Sequence, residues 1–106
     1  MNHRVILKDK HRIIVKVGTA LITQEDGRIN LLRIEKMARV ISNLISAGKE
    51  VILVTSGAVG AGMGIMKLEK KPTGIVEKQA LASIGQAALL RMYETFFNEY
   101  DQVIGQ

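Results

Sequence analysis

Lys16, Gly18 and Thr19 stand close together in VKVGTA, and Ser56, Gly57 and Ala58 open a second run of small residues, SGAVGAG. Each group sits at the end of an apolar run, RIIVKV at 12–17 and EVILVT at 50–55. Backbone N–H groups in such turns, with a helix N-terminus behind them, suit the oxygens of a phosphate or carboxylate. A nearby ammonium adds the neutralising charge. A lysine in an otherwise apolar strand costs free energy unless it meets an anion. The other reading of Lys16 is an edge-strand lysine that snorkels to water, and spacing leaves both open. Ser56 and Gly57 likewise read either as an anion-binding cap or as ordinary capping of the next helix.

Commoner chemistries fail on spacing. Gly57, Gly60, Gly62 and Gly64 do not match the dinucleotide fingerprint, and no Gly-Lys pair is followed by Ser or Thr as a P-loop requires. Ser56 is preceded two places earlier by Val54, so there is no nucleophile elbow. His3 and His11 read as exposed residues near the N-terminus, and no metal-ligand set is legible.

The elements that must hold these turns follow from pattern. Residues 12–17 read as a strand ending at the GTA turn, and TQEDGR at 23–28 reads as a polar loop with an Asp-Gly turn. Asn30 caps a helix over 31–47, whose Ile34, Met37, Ala38, Ile41, Leu44 and Ile45 form one apolar stripe. Glu35 and Arg39 are an i, i+4 pair, and Gly48 ends the helix in a left-handed cap. A second strand over 50–55 completes a βαβ unit, which implies parallel strands. Both strands are continuous apolar runs, the pattern of a sheet covered on both faces. Beyond them come a short glycine-rich helix over 57–66, a loop over 68–74, and a helical region over 75–100 expected to break near Gly85. Residues 103–106 read as the opening of a third strand, and residues 1–11 as a flexible or extended segment.

The 106 residues fit one small domain, and 47% hydrophobic content with a single proline fits a compact core. No segment approaches the roughly 20 apolar residues of a membrane span. The first residues lack the pattern of a signal peptide. The absence of cysteine fits a reducing cytoplasm. A net charge of +5 raises a nucleic-acid reading, but aromatics at 4% leave little to stack on bases. The basic clusters read instead as a solvated face or an attraction to a small anion.

Taken together, IIVKVGTALIT (13–23), GRIN (27–30), EVILVTSGAVGAG (50–62) and EKQALASIGQAALLRMYETFF (77–97) resemble the glutamate 5-kinases. The kinase part of pyrroline-5-carboxylate synthase shares the pattern, and the wider amino-acid kinase family shares the lysine-glycine turn. The resemblance implies an αβα sandwich around a mainly parallel sheet. It implies transfer of the ATP γ-phosphate to the side-chain carboxylate of L-glutamate, with Mg2+, as the first step toward proline. Lys16 then matches the lysine that contacts the transferring phosphoryl group. Gly18 and Thr19 form the adjacent phosphate turn, and Ser56, Gly57 and Ala58 match the loop that helps hold glutamate. The expected assembly is a homo-oligomer, with neither nucleic acid nor membrane as partner.

The family's adenine pocket, second lysine, and acidic and asparagine residues around glutamate and magnesium have no counterpart before Gln106. The chain is therefore expected to be the N-terminal part of such a kinase domain and inactive alone. Rival readings are a noncatalytic α/β unit acting by self-association, and a kinase of the same family acting on another small carboxylate or phosphate substrate.

Overall fold

A computed structural model describes Asp9 and residues 11–106; the expectations for residues 1–8 and 10, including an extended N-terminal segment, lie outside them. The chain runs β1 (Arg12–Val17), α1 (Thr19–Ile22), α2 (Leu31–Ser46), β2 (Glu50–Thr55), α3 (Ala58–Met66) and α4 (Ile75–Asn98). β1 and β2 pair in parallel, in a register that sets Arg12 opposite Glu50 and Val17 opposite Thr55. Both turns therefore leave the same end of the sheet. That is the end where open α/β sheets bind ligands.

Local chemistry explains the connections. Asn30 Oδ1 accepts from the Arg33 N–H at 3.3 Å and caps α2. Ala47 closes that helix, and Gly48 follows with φ 91°, the left-handed conformation that favours glycine. Asp26 Oδ1 accepts from the Arg28 N–H at 3.0 Å, and Gly27 has φ 92°, so the Asp-Gly turn forms as expected. A bridge between Thr23 and Ile29 then returns the chain to α2. The four-residue helix α1 is an addition to the reading of 18–20 as a plain turn.

The core joins Val17, Ile22, Ile29, Ile34, Ala38 and Ile41 to Ala61, Ala88, Leu89, Tyr93 and Phe97. Val15, Val51 and Leu53 pack against it from one face of the sheet. The other face carries Ile14, Lys16, Ile52 and Val54, all exposed. The expectation of a sheet covered on both faces is therefore corrected: among the described residues one face is bare. The outward Ile14, Ile52 and Val54 are apolar too, and among the described residues no second layer lies over them.

Two further expectations change. Helix α4 runs unbroken through Gly85, because this glycine serves a helix crossing instead of a kink. A Cβ there would collide with the Ala58 carbonyl and the Gly62 nitrogen, and a Cβ on Gly62 would collide with the Leu81 carbonyl. α3 and α4 thus touch backbone to backbone. Residues 103–106 form no strand: Asp101 turns the chain back with φ 58°, Val103 is exposed and Ile104 leans on the core. No helix among the described residues is long and apolar enough to cross a membrane.

Candidate functional site

At the ends of β1 and β2 a cleft of about 290 Å³ opens, lined in part by Thr19, Thr23, Ser56, Gly57, Ala58 and Lys71. β1 delivers Gly18 as the cap residue of α1, and a Cβ on it would meet nothing within 4 Å, so the space above this peptide is open. β2 delivers Ser56, and Gly57 turns the chain into α3 with φ 120°. A Cβ on Gly57 would lie 2.7 Å from Ile22 Cδ1, so glycine is required there by conformation and by space.

The two turns meet. Thr19 Oγ1 and Ser56 Oγ are 2.8 Å apart, the Ser56 N–H donates to the Val17 carbonyl at 3.2 Å, and Thr23 Oγ1 donates to the Thr19 carbonyl at 2.9 Å. Ser56 does not cap α3, whose cap residue is Gly57 and whose first turn has no side-chain acceptor. The first N–H groups of that helix lack intrahelical partners by construction and carry partial positive charge.

The structure brings Thr19, Ser56, Gly57 and Ala58 to one cleft, with Gly18 at its approach. Lys16 stands apart. It is exposed on the bare sheet face, opposite Val54 in register, and does not line the cleft. No ion pair among the described residues holds it, so its long side chain is free to follow an anion at the strand ends.

Sequence reasoning missed Lys71, Gln86 and Thr23 as lining residues. Lys71 belongs to a loop whose only sequence signals are charge and a proline. Its approach depends on Arg28, which donates to the Leu68 carbonyl at 3.0 Å, and on Gly27, beside whose backbone the Lys71 side chain lies. No local pattern marks such a contact. Nothing local in the sequence marks Tyr93 for a polar contact, yet its hydroxyl lies 2.7 Å from Thr55 Oγ1. A larger cavity of about 530 Å³ runs beside β2, between α2, α4 and residues 102–106, with a mainly apolar lining. Its lining shares Thr55 and Gln86 with the strand-end cleft and adds Tyr93 and Gln102, but includes neither strand-end glycine turn.

No group of His, Cys, Asp or Glu among the described residues is placed to hold a metal ion. No Asp or Glu lines the strand-end cleft, so the described residues supply no carboxylate ligand for magnesium there. What the cleft can do is bind oxygens: it offers hydroxyls, glycine peptides, a helix start and the Lys71 ammonium.

A parallel βαβ unit with glycine turns converging on an oxygen-binding cleft defines the α/β class whose ligands sit at strand ends. The profile of the amino acid kinase family matches residues 11–106, and the chain belongs to that family. It is 56% identical over 103 residues to the glutamate 5-kinase of Clostridium perfringens (strain 13 / Type A), covering 97% of this chain and 38% of that protein. It is 56% identical over 95 residues to the glutamate 5-kinase of Thermoanaerobacter sp. (strain X514), covering 90% of this chain and 26% of that protein. With the glutamate 5-kinase of Listeria innocua serovar 6a (strain ATCC BAA-680 / CLIP 11262) it shares 50% identity over 103 residues, covering 97% of this chain and 37% of that protein. The chain thus spans between about a quarter and two fifths of these relatives' length.

Proposed function

We propose that residues 1–106 form the amino-terminal part of a glutamate 5-kinase, which transfers the γ-phosphoryl group of ATP to the side-chain carboxylate of L-glutamate. The observation that carries this reading is the 56% identity, over 97% of the chain, to a protein of that name, a span that includes both glycine turns. The convergence of those turns on one cleft supports it from the side of geometry. A cytoplasmic setting and a homo-oligomeric assembly belong to the same reading.

In this proposal one carboxylate oxygen of glutamate attacks the γ-phosphorus while the bond to the ADP oxygen breaks. The transition state spreads charge over the equatorial oxygens, so catalysis consists mainly of positioning and electrostatic stabilisation. The N–H groups of Gly18 and Thr19 take phosphate oxygens, and Lys16 swings over the strand end to neutralise the transferring group. The Ser56 hydroxyl and the peptides of Gly57 and Ala58 hold the acceptor. The Gly18 turn fits this use, since the space above it is open. The described residues do not fit a magnesium ion, and none of these steps runs through one.

Calorimetric titration of the chain with L-glutamate, L-aspartate and L-glutamine tests the acceptor side. Selective binding of L-glutamate is expected. Equal binding of aspartate would point to a kinase of another carboxylate, and no binding of any of the three would overturn the assignment of the Ser56 loop.

A further inference from the structure

Tyr93 is 4% exposed and its ring packs on Phe97 with centroids 6.5 Å apart, yet its hydroxyl reaches the end of β2. The phenol oxygen lies 2.7 Å from Thr55 Oγ1, and the Thr55 hydroxyl donates to the Ser56 carbonyl at 2.9 Å. A threonine hydroxyl has a single proton. With that proton given to Ser56, Thr55 must accept from Tyr93. The bonds run one way, from Tyr93 through Thr55 to the Ser56 carbonyl, and each polarises the next. Burial pushes the Tyr93 phenol up and outweighs the pull that a Thr55 hydroxyl turned to donate to the phenolate would exert, so the first proton stays in place at neutral pH.

The direction of this chain has a geometric consequence. A trans peptide is planar, with its C=O and N–H pointing opposite ways. Drawing the Ser56 carbonyl toward Thr55 aims the Gly57 N–H away from it. On the far side of that peptide Gly57 holds φ 120°, in a space where Ile22 and Ile29 leave no room for a side chain. We infer that Tyr93 is a positioning residue: acting through Thr55, it sets the Ser56–Gly57 peptide so that the Gly57 N–H and the first turn of α3 face an incoming carboxylate or phosphoryl oxygen. Tyr93 itself touches no ligand. A tyrosine needing only to satisfy its own hydroxyl could use any nearby carbonyl. This one bonds to the single hydroxyl that continues to the Ser56 carbonyl.

The inference rests on the reading of Ser56–Ala58 as the acceptor loop, and its test separates the two. Tyr93→Phe keeps the ring and removes the donor; Thr55→Val keeps the shape and removes the relay; Thr55→Ser keeps the relay. L-Glutamate affinity is measured by calorimetry on the whole chain, and amide hydrogen exchange is followed over residues 56–60. Tyr93→Phe and Thr55→Val should each weaken L-glutamate binding severalfold to tenfold and speed exchange in that segment. The double variant should be no worse than either single one, and Thr55→Ser should match the parent. A lowered melting temperature with unchanged affinity and exchange would make Tyr93 a core residue only. Additive losses, or failure of Thr55→Ser to preserve binding, would also overturn the relay. If the parent binds no L-glutamate, the kinase reading of the loop fails and exchange alone decides. Equal acceleration in Tyr93→Phe and Thr55→Val, absent in Thr55→Ser, then upholds the positioning role, and unchanged rates reject it.

Discussion

Thr19 Oγ1 and Ser56 Oγ meet at 2.8 Å across 37 positions of sequence, and this contact makes one site of two turns that belong to different strands. Ser56 also leans on the Val17 carbonyl at 3.4 Å, so its hydroxyl is held at the rim of the cleft while the backbone beyond it opens into α3. A hydroxyl in that place can serve a ligand, the bridge, or both.

Ser56→Ala separates these roles. Loss of a neutral hydrogen bond to substrate costs about 0.5–1.5 kcal/mol, a severalfold change in affinity. The expected result is a severalfold rise in the dissociation constant or KM for L-glutamate, with a small change in melting temperature. A clear loss of stability at unchanged glutamate dependence would leave Ser56 with the bridge alone.

Lys16→Ala should act differently. Lys16 is exposed and carries no ion pair among the described residues, so its removal should leave stability within about 0.5 kcal/mol of the parent. In a kinase that contains these residues together with the rest of its family's length, turnover should fall steeply while KM for glutamate changes little, because a charge acting in the transition state is lost. Steady-state kinetics with varied ATP and glutamate reads both. Near-normal turnover would assign Lys16 to the solvated strand face.

Gly62→Ala and Gly85→Ala should both be strongly destabilising. The added methyl groups meet carbonyl or amide backbone, which cannot rotate aside as a side chain can. Overpacking of this kind costs about 1–3 kcal/mol, occasionally more. Urea denaturation should show it, whereas Gly64→Ala, which meets nothing within 4 Å, should be neutral or stabilising. Equal stability of all three would deny the close crossing of α3 and α4.

The same glycines show where sequence reading stops. The bounds of β1 and β2 were legible because an apolar run and its flanking turn residues are local signals, and the stripe of α2 and its Asn30 cap were legible for the same reason. Gly85 was misread as a break because a glycine in a helix marks either a kink or a crossing, and only the partner helix decides. The bare sheet face escaped notice because Ile14, Ile52 and Val54 are as apolar as the residues that face the core. In the site, the glycine turns announced themselves by type and spacing. Lys71 and Tyr93 did not, since each acts through a contact with a distant segment.

Glu50 carries a pH dependence. The Arg12 guanidinium donates to it at 2.9 Å and, by that bond and then by its charge, holds the carboxyl below its ordinary range. A lowered value in the folded chain means that the pair stabilises the fold above the unfolded carboxyl's pKa, roughly pH 4, and ceases to do so as acid protonates the folded form. Glu50→Gln should therefore be slightly less stable than the parent at neutral pH, and the gap should close below about pH 4. The pair is exposed, so added salt should shrink the gap as well. Denaturant titrations at several pH values measure it, and a gap that widens on acidification would reverse the assignment.

The last prediction joins the bare face to catalysis. Ile14 is 66% exposed, Ile52 48% and Val54 47%, side by side on paired strands, and a patch of this kind favours association. The 106-residue chain should therefore self-associate at micromolar concentration, and Ile52→Thr with Val54→Thr should shift it toward monomer without unfolding it, since both side chains point to water. Light scattering after size exclusion measures this. A dispersed monomeric parent would remove this part. The purified chain should also make no glutamyl phosphate at a meaningful rate in either form. Phosphoryl transfer needs both reactants held in line. The cleft offers a place for the acceptor and for phosphate oxygens, yet no group among the described residues is placed to hold a metal ion. Turnover comparable to that of a whole glutamate kinase, assayed with ATP, magnesium and L-glutamate, would show that residues 1–106 suffice for the reaction and would overturn this prediction.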